Sequence, residues 1–382
     1  MAAIMQHPAV NPQHLVESPP RAWAEIDLGA MLANLHTARA AAGCELMVVV
    51  KAGAYGHGLE EVARLLAKQP IAFLGVAHVG EARRIRAAGV DTPIYLLGPT
   101  WQAERAEIVA KAWTPCVSSI DEAADFNRLA AAAGVKQAVH LAVDTGMGRG
   151  GFVIADLPQA MQALDAMKHL EIEGIGSHLP SADEDEIFTR SQIDQFERLI
   201  ESLGGASRFK WRHLLNSAGL TGYPRLSCNL ARPGLMLYGV SSLPKMDLPL
   251  ATVMTLKSRI TLLRTLPPGH GISYGRAYVT QSETRVATVG IGYGDGYPRH
   301  ISGQGGEVVI RKRRCPILGR VTMDQLMVDV SALPDAAEGD EVELFGPSIP
   351  VTELATKAAT IPWEIFTGIT PRVARHYLNP PA

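Results

Sequence analysis

The 382-residue chain is 47% hydrophobic and 19% charged, with a formal net charge of −2, a globular composition too long for one ordinary core. That near-neutral balance gives no electrostatic case for nucleic acid or for an anionic membrane surface. Cys44, Cys116, Cys228 and Cys315 stand far apart, without a CxxC pair or a metal-ligand spacing, and read as free thiols of a reducing compartment.

The first twenty residues hold four prolines and no apolar run long enough for a signal-peptide core. Residues 1–21 are therefore expected to form a loose extension. No later run approaches membrane-spanning length, and a cytoplasmic protein is expected. From residue 22 the sequence alternates. A first segment, 22–28, leads to a helix over 29–42. The run 45–50 is apolar, rich in valine and too short for a helix, which predicts a fully buried strand ending on Lys51. Further strands are predicted at 73–79, 93–99, 115–119, 138–144, 171–179, 211–216 and 230–239. Helical patterns lie between them at 59–68, 80–88, 103–111, 121–133, 157–169 and 190–202.

Eight strands alternating with helices predict an α/β fold of the (β/α)8 TIM-barrel type rather than an open doubly wound sheet. The glycine-rich stretch 53–58 carries neither the GxGxxG nor the Walker pattern that an open sheet would place after its first strand. Beyond residue 250 the texture changes. Short alternating runs at 255–263, 284–291, 307–311 and 341–345, separated by Pro and Gly turns, predict a second, mainly-β domain with one helix at 351–359. The expected organisation is an extension over 1–21, a barrel over 22–252 and a C-terminal β domain over 253–382.

An ammonium at the end of a buried strand costs free energy unless something there uses it. By position alone, Lys51 is as well read as a solvated strand terminus as a reactive amine. The other strand exits bear on the choice, because barrel enzymes collect their chemistry there. Tyr55 follows the first strand, Asp144-Thr145-Gly146-Met147-Gly148-Arg149 the fifth, Ser177-His178 the sixth, and Asn216-Ser217 the seventh. The eighth carries Arg232-Pro233-Gly234-Leu235. Barrels frequently bind phosphate between the loops after strands seven and eight, where Ser217 and the backbone of Gly234 and Leu235 stand. An amine facing a phosphate site suits pyridoxal phosphate, with the lysine as Schiff-base former. Arg232 near that site stays charged and can only donate, so it would keep the cofactor's ring nitrogen unprotonated and favour brief proton removal.

These segments, together with Val50-Lys51-Ala52-Gly53-Ala54-Tyr55-Gly56-His57-Gly58, Tyr238-Gly239, Ser273-Tyr274-Gly275, Ile291-Gly292-Tyr293-Gly294-Asp295-Gly296 and Gly319-Arg320-Val321-Thr322-Met323-Asp324-Gln325, resemble the alanine racemase family. The resemblance runs from about residue 22 to the end, in the family's order. It implies a pyridoxal phosphate barrel with a C-terminal β domain, working as a head-to-tail homodimer on a small amino acid, with D-alanine made for peptidoglycan and no metal. It also implies roles for single residues. Lys51 carries the cofactor and is the base on one face of the substrate carbon. Tyr274 is the base on the other face and reaches the partner subunit's site, assisted by a hydrogen-bond chain through His178 to Arg232. Tyr55, Ser217, Gly234 and Leu235 hold the cofactor's phosphate, Asn216 belongs to the cofactor-binding set, and Arg149 meets the cofactor's phenolic oxygen and the substrate carboxylate. Met323 meets that carboxylate from the second subunit, and Tyr293, Arg299 and Asp324 line the access channel. His57 and Tyr238 read as packing residues, Asp144 as the holder of its turn, and Asp295 equally as a turn or a site residue.

The chain departs from the family's pattern in four places. Ala142 stands where many members carry a lysine supporting the arginine equivalent to Arg149. Pro371 and Gly176 stand where some members have tyrosine, and Gly53 where asparagine is usual. A roomier pocket is expected, so a serine or broad-specificity racemase is the alternative. A decarboxylase would need a cysteine from the second domain, and Cys315 lacks that context. A non-catalytic cofactor carrier would lack the second domain altogether.

Overall fold

A computed structural model describes residues 19–243, 246 and 248–381; most of the expected N-terminal extension, residues 1–18, lies outside the described residues. Strand β1 (Ala22–Asp27) leads into helix α1 (Leu28–Ala42). Asp27 caps that helix by accepting from Ala30 N–H, and Gly43 closes it in a left-handed conformation, the usual pairing of start and stop signals. The barrel then runs through β2 (Glu45–Val49), the short turn α2 (Lys51–Tyr55), α3 (Leu59–Ala67), β3 (Phe73–Val76), α4 (Val79–Ala87) and β4 (Ile94–Leu96). It continues with α5 (Arg105–Ala110), β5 (Thr114–Val117), α6 (Ile120–Ala133), β6 (Gln137–Asp144), the stub β7 (Phe152–Val153), α7 (Leu157–Asp165) and β8 (Leu170–Gly176). Its last elements are α8 (Glu186–Ser202), β9 (Trp211–His213), α9 (Ser217–Gly222) and β10 (Leu230–Ala231).

All pairings along β10-β2-β3-β4-β5-β6-β8-β9 are parallel. Hydrogen bonds from Asn229 N to Arg212 O and from Arg232 N to Leu215 O join β9 to β10 and close the ring. The eight-stranded barrel is thus the predicted one. Met47, Phe73, Tyr95, Cys116 and Leu230 pack as a layer inside it, which is how such barrels are filled rather than hollow.

The second sheet is built from β11 (Met254–Leu266), β14 (Thr284–Val289), β15 (Glu307–Ile310), β16 (Arg313–Leu318), β17 (Leu326–Asp329), β18 (Glu341–Phe345) and β19 (Ala374–Leu378), with a hairpin of β12 (Gly271–Ile272) and β13 (Tyr278–Val279) beside it. Strand β11 pairs with β18 along its first half and β14 along its second, across an irregularity at Ile260–Leu262, so the sheet curls back on itself. Helices α10 (Val351–Lys357) and α11 (Pro362–Gly368) follow β18. Among the described residues, no helix is long and apolar enough to cross a membrane.

Three expectations change. Of the segment 22–28, residues 22–27 belong by pairing to this second sheet, antiparallel to β11 and parallel to β19, not to the barrel over 22–252, and Leu28 opens α1. The segment's alternation fits either location; only the partner strands decide. Arg21, expected in the loose extension, donates to the buried Asp295 at 2.8 Å and to the carbonyls of Gly290 and Asp324. The predicted strand 230–239 stops at Ala231, because Gly234 (φ −125°, ψ −91°) turns the chain into a 3-10 segment, Leu235–Tyr238.

Candidate active site

Lys51 lies just past β2, not on it. Ala52 (φ 53°), Gly53 (φ 66°) and Ala54 (φ 55°) are left-handed, and Tyr55 continues the run at φ 52°. Each non-glycine residue there costs about 1–2 kcal/mol relative to right-handed backbone, so the turn persists because its surroundings hold it. Ala54 N–H donates to Val50 O, Gly56 N–H to Ala52 O and Gly58 N–H to Gly53 O. The Tyr55 ring stacks on Tyr238 at 4.6 Å, and Tyr238 Oη donates to Val49 O. His57 is fully buried beneath them, hydrogen-bonded to Tyr55 O and packed on Tyr238 and Phe366. Burial holds its imidazole neutral, down to about 4. His57 is a packing residue.

The turn places Lys51 and Tyr55 on a cavity of about 790 Å³ at the C-terminal mouth of the barrel. Arg149, His178, Asn216, Ser217, Arg232, Gly234 and Leu235 line the same cavity. The barrel residues for which the resemblance implies a cofactor or substrate role all line it. Burial and the neighbouring Arg149 and Arg232 lower the Lys51 amine below its usual range, against an opposing pull from Glu81. Burial pushes the Tyr55 phenol up to about 12, so it stays a neutral hydrogen-bond donor.

Across the mouth, Gly234 N–H donates to Ser217 Oγ at 3.0 Å, which leaves the Ser217 hydroxyl proton for a ligand. A Cβ on Gly234 would stand 2.7 Å from Tyr55 Oη; glycine is what lets that backbone approach the phenol. The cradle of hydroxyl, phenol and backbone amide suits a phosphate. Asn216 lines it with its side chain occupied: Nδ2 donates to Leu179 O and Oδ1 accepts from Gly219 N–H.

Arg232 is buried and heavily bonded. Nη1 donates to His213 Nδ1 at 2.6 Å and to His213 O at 2.8 Å. Nη2 donates to Ser177 O at 2.6 Å and to His178 Nδ1 at 3.2 Å, which leaves Nε–H as its uncommitted donor. Burial depresses all three nearby histidines: with Arg232 beside it His178 falls to about 3, with Lys210 and Arg232 His140 to about 3, and with Arg232 His213 well below its normal range. All three are neutral, and their tautomers follow from the arginine's being donor-only. His213 accepts at Nδ1, so its proton is on Nε2 and goes to His140 Nδ1, 2.9 Å away. His178 likewise accepts at Nδ1 and carries its proton on Nε2.

His140 and His213 were not singled out from sequence. The signal was Gly174-Ile175-Gly176: a Cβ at Gly174 would stand 2.6 Å from the His140 ring, and one at Gly176 would collide with His213. Gly176, where the family also uses tyrosine, is here the space His213 occupies. At Gly53 a Cβ would meet nothing within 4 Å, so the missing asparagine is not a steric exclusion. Ala142 lines the cavity and Arg149 is exposed at its rim.

The remaining candidates are not in that cavity. Tyr274, Tyr293 and Met323 are exposed on the β domain, at 68%, 38% and 53%, as are Arg299 and Asp324. Asp295 caps Gly292 N–H and is paired with Arg21 at 2.8 Å and Arg372 at 3.2 Å, while Arg372 also reaches Asp324 at 2.6 Å. It is therefore more than a turn residue. Asp144 does hold its turn, accepting from the N–H groups of Gly146, Met147 and Gly148.

Residues 26–242 match the family model of the alanine racemase N-terminal domain, and residues 253–377 that of its C-terminal domain. The chain belongs to the alanine racemase family. It is 40% identical to the alanine racemase of Halothermothrix orenii over 94% of this chain and 97% of that protein. Among alanine racemases of known structure, that of Clostridium difficile superposes with a TM-score of 0.89 at 34% identity, covering 95% of this chain and 97% of the other. The alanine racemase of Bartonella henselae, with covalently bound pyridoxal phosphate, superposes at 0.87 with 29% identity, covering 94% of this chain and all of that one.

Proposed function

We propose that the protein is a pyridoxal-phosphate-dependent racemase interconverting L- and D-alanine, acting in the cytoplasm to supply D-alanine for peptidoglycan. The observation that carries the reading is the convergence of the Lys51 amine, the Ser217–Gly234 cradle and the Arg232 guanidinium on one cavity, in a chain so similar to alanine racemases. The donors fit the cofactor. Lys51 would bind it covalently; Tyr55, Ser217 and the Leu235 amide would hold its phosphate, with Gly234 letting the backbone approach and Asn216 fixing the loop. Arg232 would meet its ring nitrogen and Arg149 its phenolic oxygen. Bound there, pyridoxal phosphate supplies the electron-withdrawing system that acidifies the substrate's α C–H.

Racemisation then asks for a proton acceptor and a proton donor on opposite faces of that carbon. Lys51 Nζ serves one face. Its depressed basicity brings it closer to the pKa a general base needs near neutrality. Tyr274 Oη of the partner subunit serves the other. An ordinary phenol titrates near pKa ~10 and needs a donor to become a base at neutral pH. Neutral His178, accepting from Arg232 at Nδ1, offers that phenolate its Nε2–H. Arg149 and the partner's Met323 hold the substrate carboxylate, with Tyr293, Arg299 and Asp324 along the access channel. The exposure of Tyr274 and Met323 on the β domain, outside their own chain's cavity, supports a head-to-tail homodimer with shared sites.

The test is incubation with L-alanine, L-serine and basic L-amino acids in deuterated water. D-alanine carrying α-deuterium is expected. A faster reaction with serine would make it a serine or broad-specificity racemase. Carbon dioxide from basic substrates would make it a decarboxylase, against which Cys315 is buried in β16 with its thiol pushed up to about 11. A yellow protein that turns over none of them would be a cofactor carrier.

A further inference from the structure

Glu81 is buried in the first turn of α4. A glutamate there ordinarily reaches back to its own helix start, and that accounts for one of its oxygens. Oε2 accepts from Ala77 N–H, at the exit of β3, at 2.9 Å. The other oxygen leaves the helix altogether. Oε1 accepts from Gly53 N–H at 3.2 Å, in the left-handed turn two residues beyond Lys51.

The same device occurs once more in the barrel. Glu122, in the first turn of α6, accepts from Ser118 N–H at 2.8 Å with Oε2, and from Thr100 N–H and Oγ at 3.1 and 2.9 Å with Oε1. Both carboxylates tie a strand exit to the preceding βα loop. The loop held by Glu122 carries none of the residues assigned to the reaction; the loop held by Glu81 carries Lys51 and Tyr55. The charged groups acting on the Lys51 amine are Arg149 after β6, Arg232 after β10 and Glu81 on α4, of which Glu81 alone is an anion. Three non-glycine residues of that turn are in a conformation that isolated backbone disfavours, and the Gly53 bond restrains it between them.

We propose that Glu81 is a positioning residue for Lys51: it clamps the left-handed turn 52–55 to the exit of β3, and so fixes a negative charge on the turn that carries the Lys51 nitrogen. The inference rests on Lys51 being the cofactor-bearing lysine.

The experiment compares full-length holoenzyme of wild type with Glu81→Gln, Glu81→Ala and Glu122→Gln. Three quantities are read: thermal midpoint, rate of pyridoxal phosphate loss into a scavenger, and pH midpoint of the bound-cofactor absorbance. Both Glu81 variants are expected to lose cofactor roughly tenfold faster, and to lower the absorbance midpoint by roughly half a unit or more, since removing an anion disfavours the protonated nitrogen. Their kcat should fall with KM little changed. Glu122→Gln should lower the thermal midpoint comparably and leave the other two readings alone. Should Glu81→Ala not fold, Glu81→Gln keeps the side chain's shape and one of its two acceptors, and reads the loss of the charge together with one clamp bond. If Glu81→Gln melts earlier but matches wild type in cofactor loss and absorbance, Glu81 is a helix cap only and the proposal is overturned. A wild type that never holds pyridoxal phosphate overturns the function proposed above, and this inference with it.

Discussion

At the scale of single residues, the site works by fixing protonation states through burial and donor-only neighbours. Arg232 spends both terminal nitrogens on acceptors, and His178 is thereby neutral with its proton directed away from the arginine. In the proposed mechanism a phenolate hydrogen-bonded to such a group is the base on one face, and the lysine proposed for the opposite face is independent of it. Tyr274→Phe should therefore keep the bound-cofactor absorbance and lose proton exchange unequally. From the enantiomer whose α-proton tyrosine removes, the rate should fall by about 10² or more; exchange of the other enantiomer's α-deuterium by Lys51 should survive. Measuring deuterium wash-in separately for L- and D-alanine checks this, and equal losses would count against two bases. That Lys51, Tyr55, Arg149, His178, Ser217 and Arg232 stand together on one cavity is legible in the sequence, because each lies on or after a predicted barrel strand and strand exits meet at one end of a barrel. His140 and His213 are not legible there, since a histidine within an apolar strand looks the same whether it packs or relays a hydrogen bond.

At the scale of elements, the left-handed turn 52–55 is the unit on which the site depends, and its support comes from far along the chain. Gly56 has φ 77°, and a Cβ there would collide with the carbonyl of Phe366 on α11. Arg375 donates to Gly56 O from β19. Gly56→Ala should thus push α11 from the turn and destabilise the protein by about 2–4 kcal/mol, the range for forced overlap combined with left-handed strain. Urea unfolding monitored by circular dichroism reads the loss. Trp363 and Thr367 on α11 line the cavity, so cofactor retention should fall in the same variant. The Gly-rich stretch 53–58 announced a tight turn from sequence alone, but not its hand or what pressed against it.

At the scale of the whole molecule, two consequences follow from where groups end up. The first concerns subunits. If Lys51 and Tyr274 of one site come from different chains, Lys51→Ala and Tyr274→Phe homodimers are each impaired, and mixing them after reversible dissociation restores one intact site per heterodimer. Recovery to about a quarter of the wild-type rate is expected for random reassortment; no recovery would place both residues in one chain's site. The second concerns acid. His57, His140, His178 and His213 are all depressed by burial, to about 4, about 3, about 3 and well below normal. The unfolded chain binds protons at these sites near pH 6.5 and the folded chain does not. Stability is therefore complete above pH 6.5 and declines as pH falls toward 4, by on the order of 1.4 kcal/mol per pH unit for each histidine. Urea midpoints at pH 7.5 and pH 5.5 check it; equal values would mean that the imidazoles are charged in the fold. His178, neutral throughout, should contribute no step to the rate profile between pH 6 and 9.

The order of side chains along the chain is enough for what is periodic and local. Eight alternating strand–helix units, a change to short β runs near residue 250, and site residues at strand exits follow from which side chains repeat at which spacing. Tertiary structure decided everything that depends on a partner distant in the chain. The segment 22–27 alternates as a strand of either domain would, and only its bonds to β11 and β19 assign it to the second sheet. Arg21 looked like the end of a tail until Asp295, 274 positions away, met it. Lys51 was ambiguous by position because a strand-ending lysine is defined by what stands opposite it. The opposing groups — Ser217, Arg232, Gly234 — come from strands that close the barrel onto the first, and closure is a property of the sheet, not of any stretch within it.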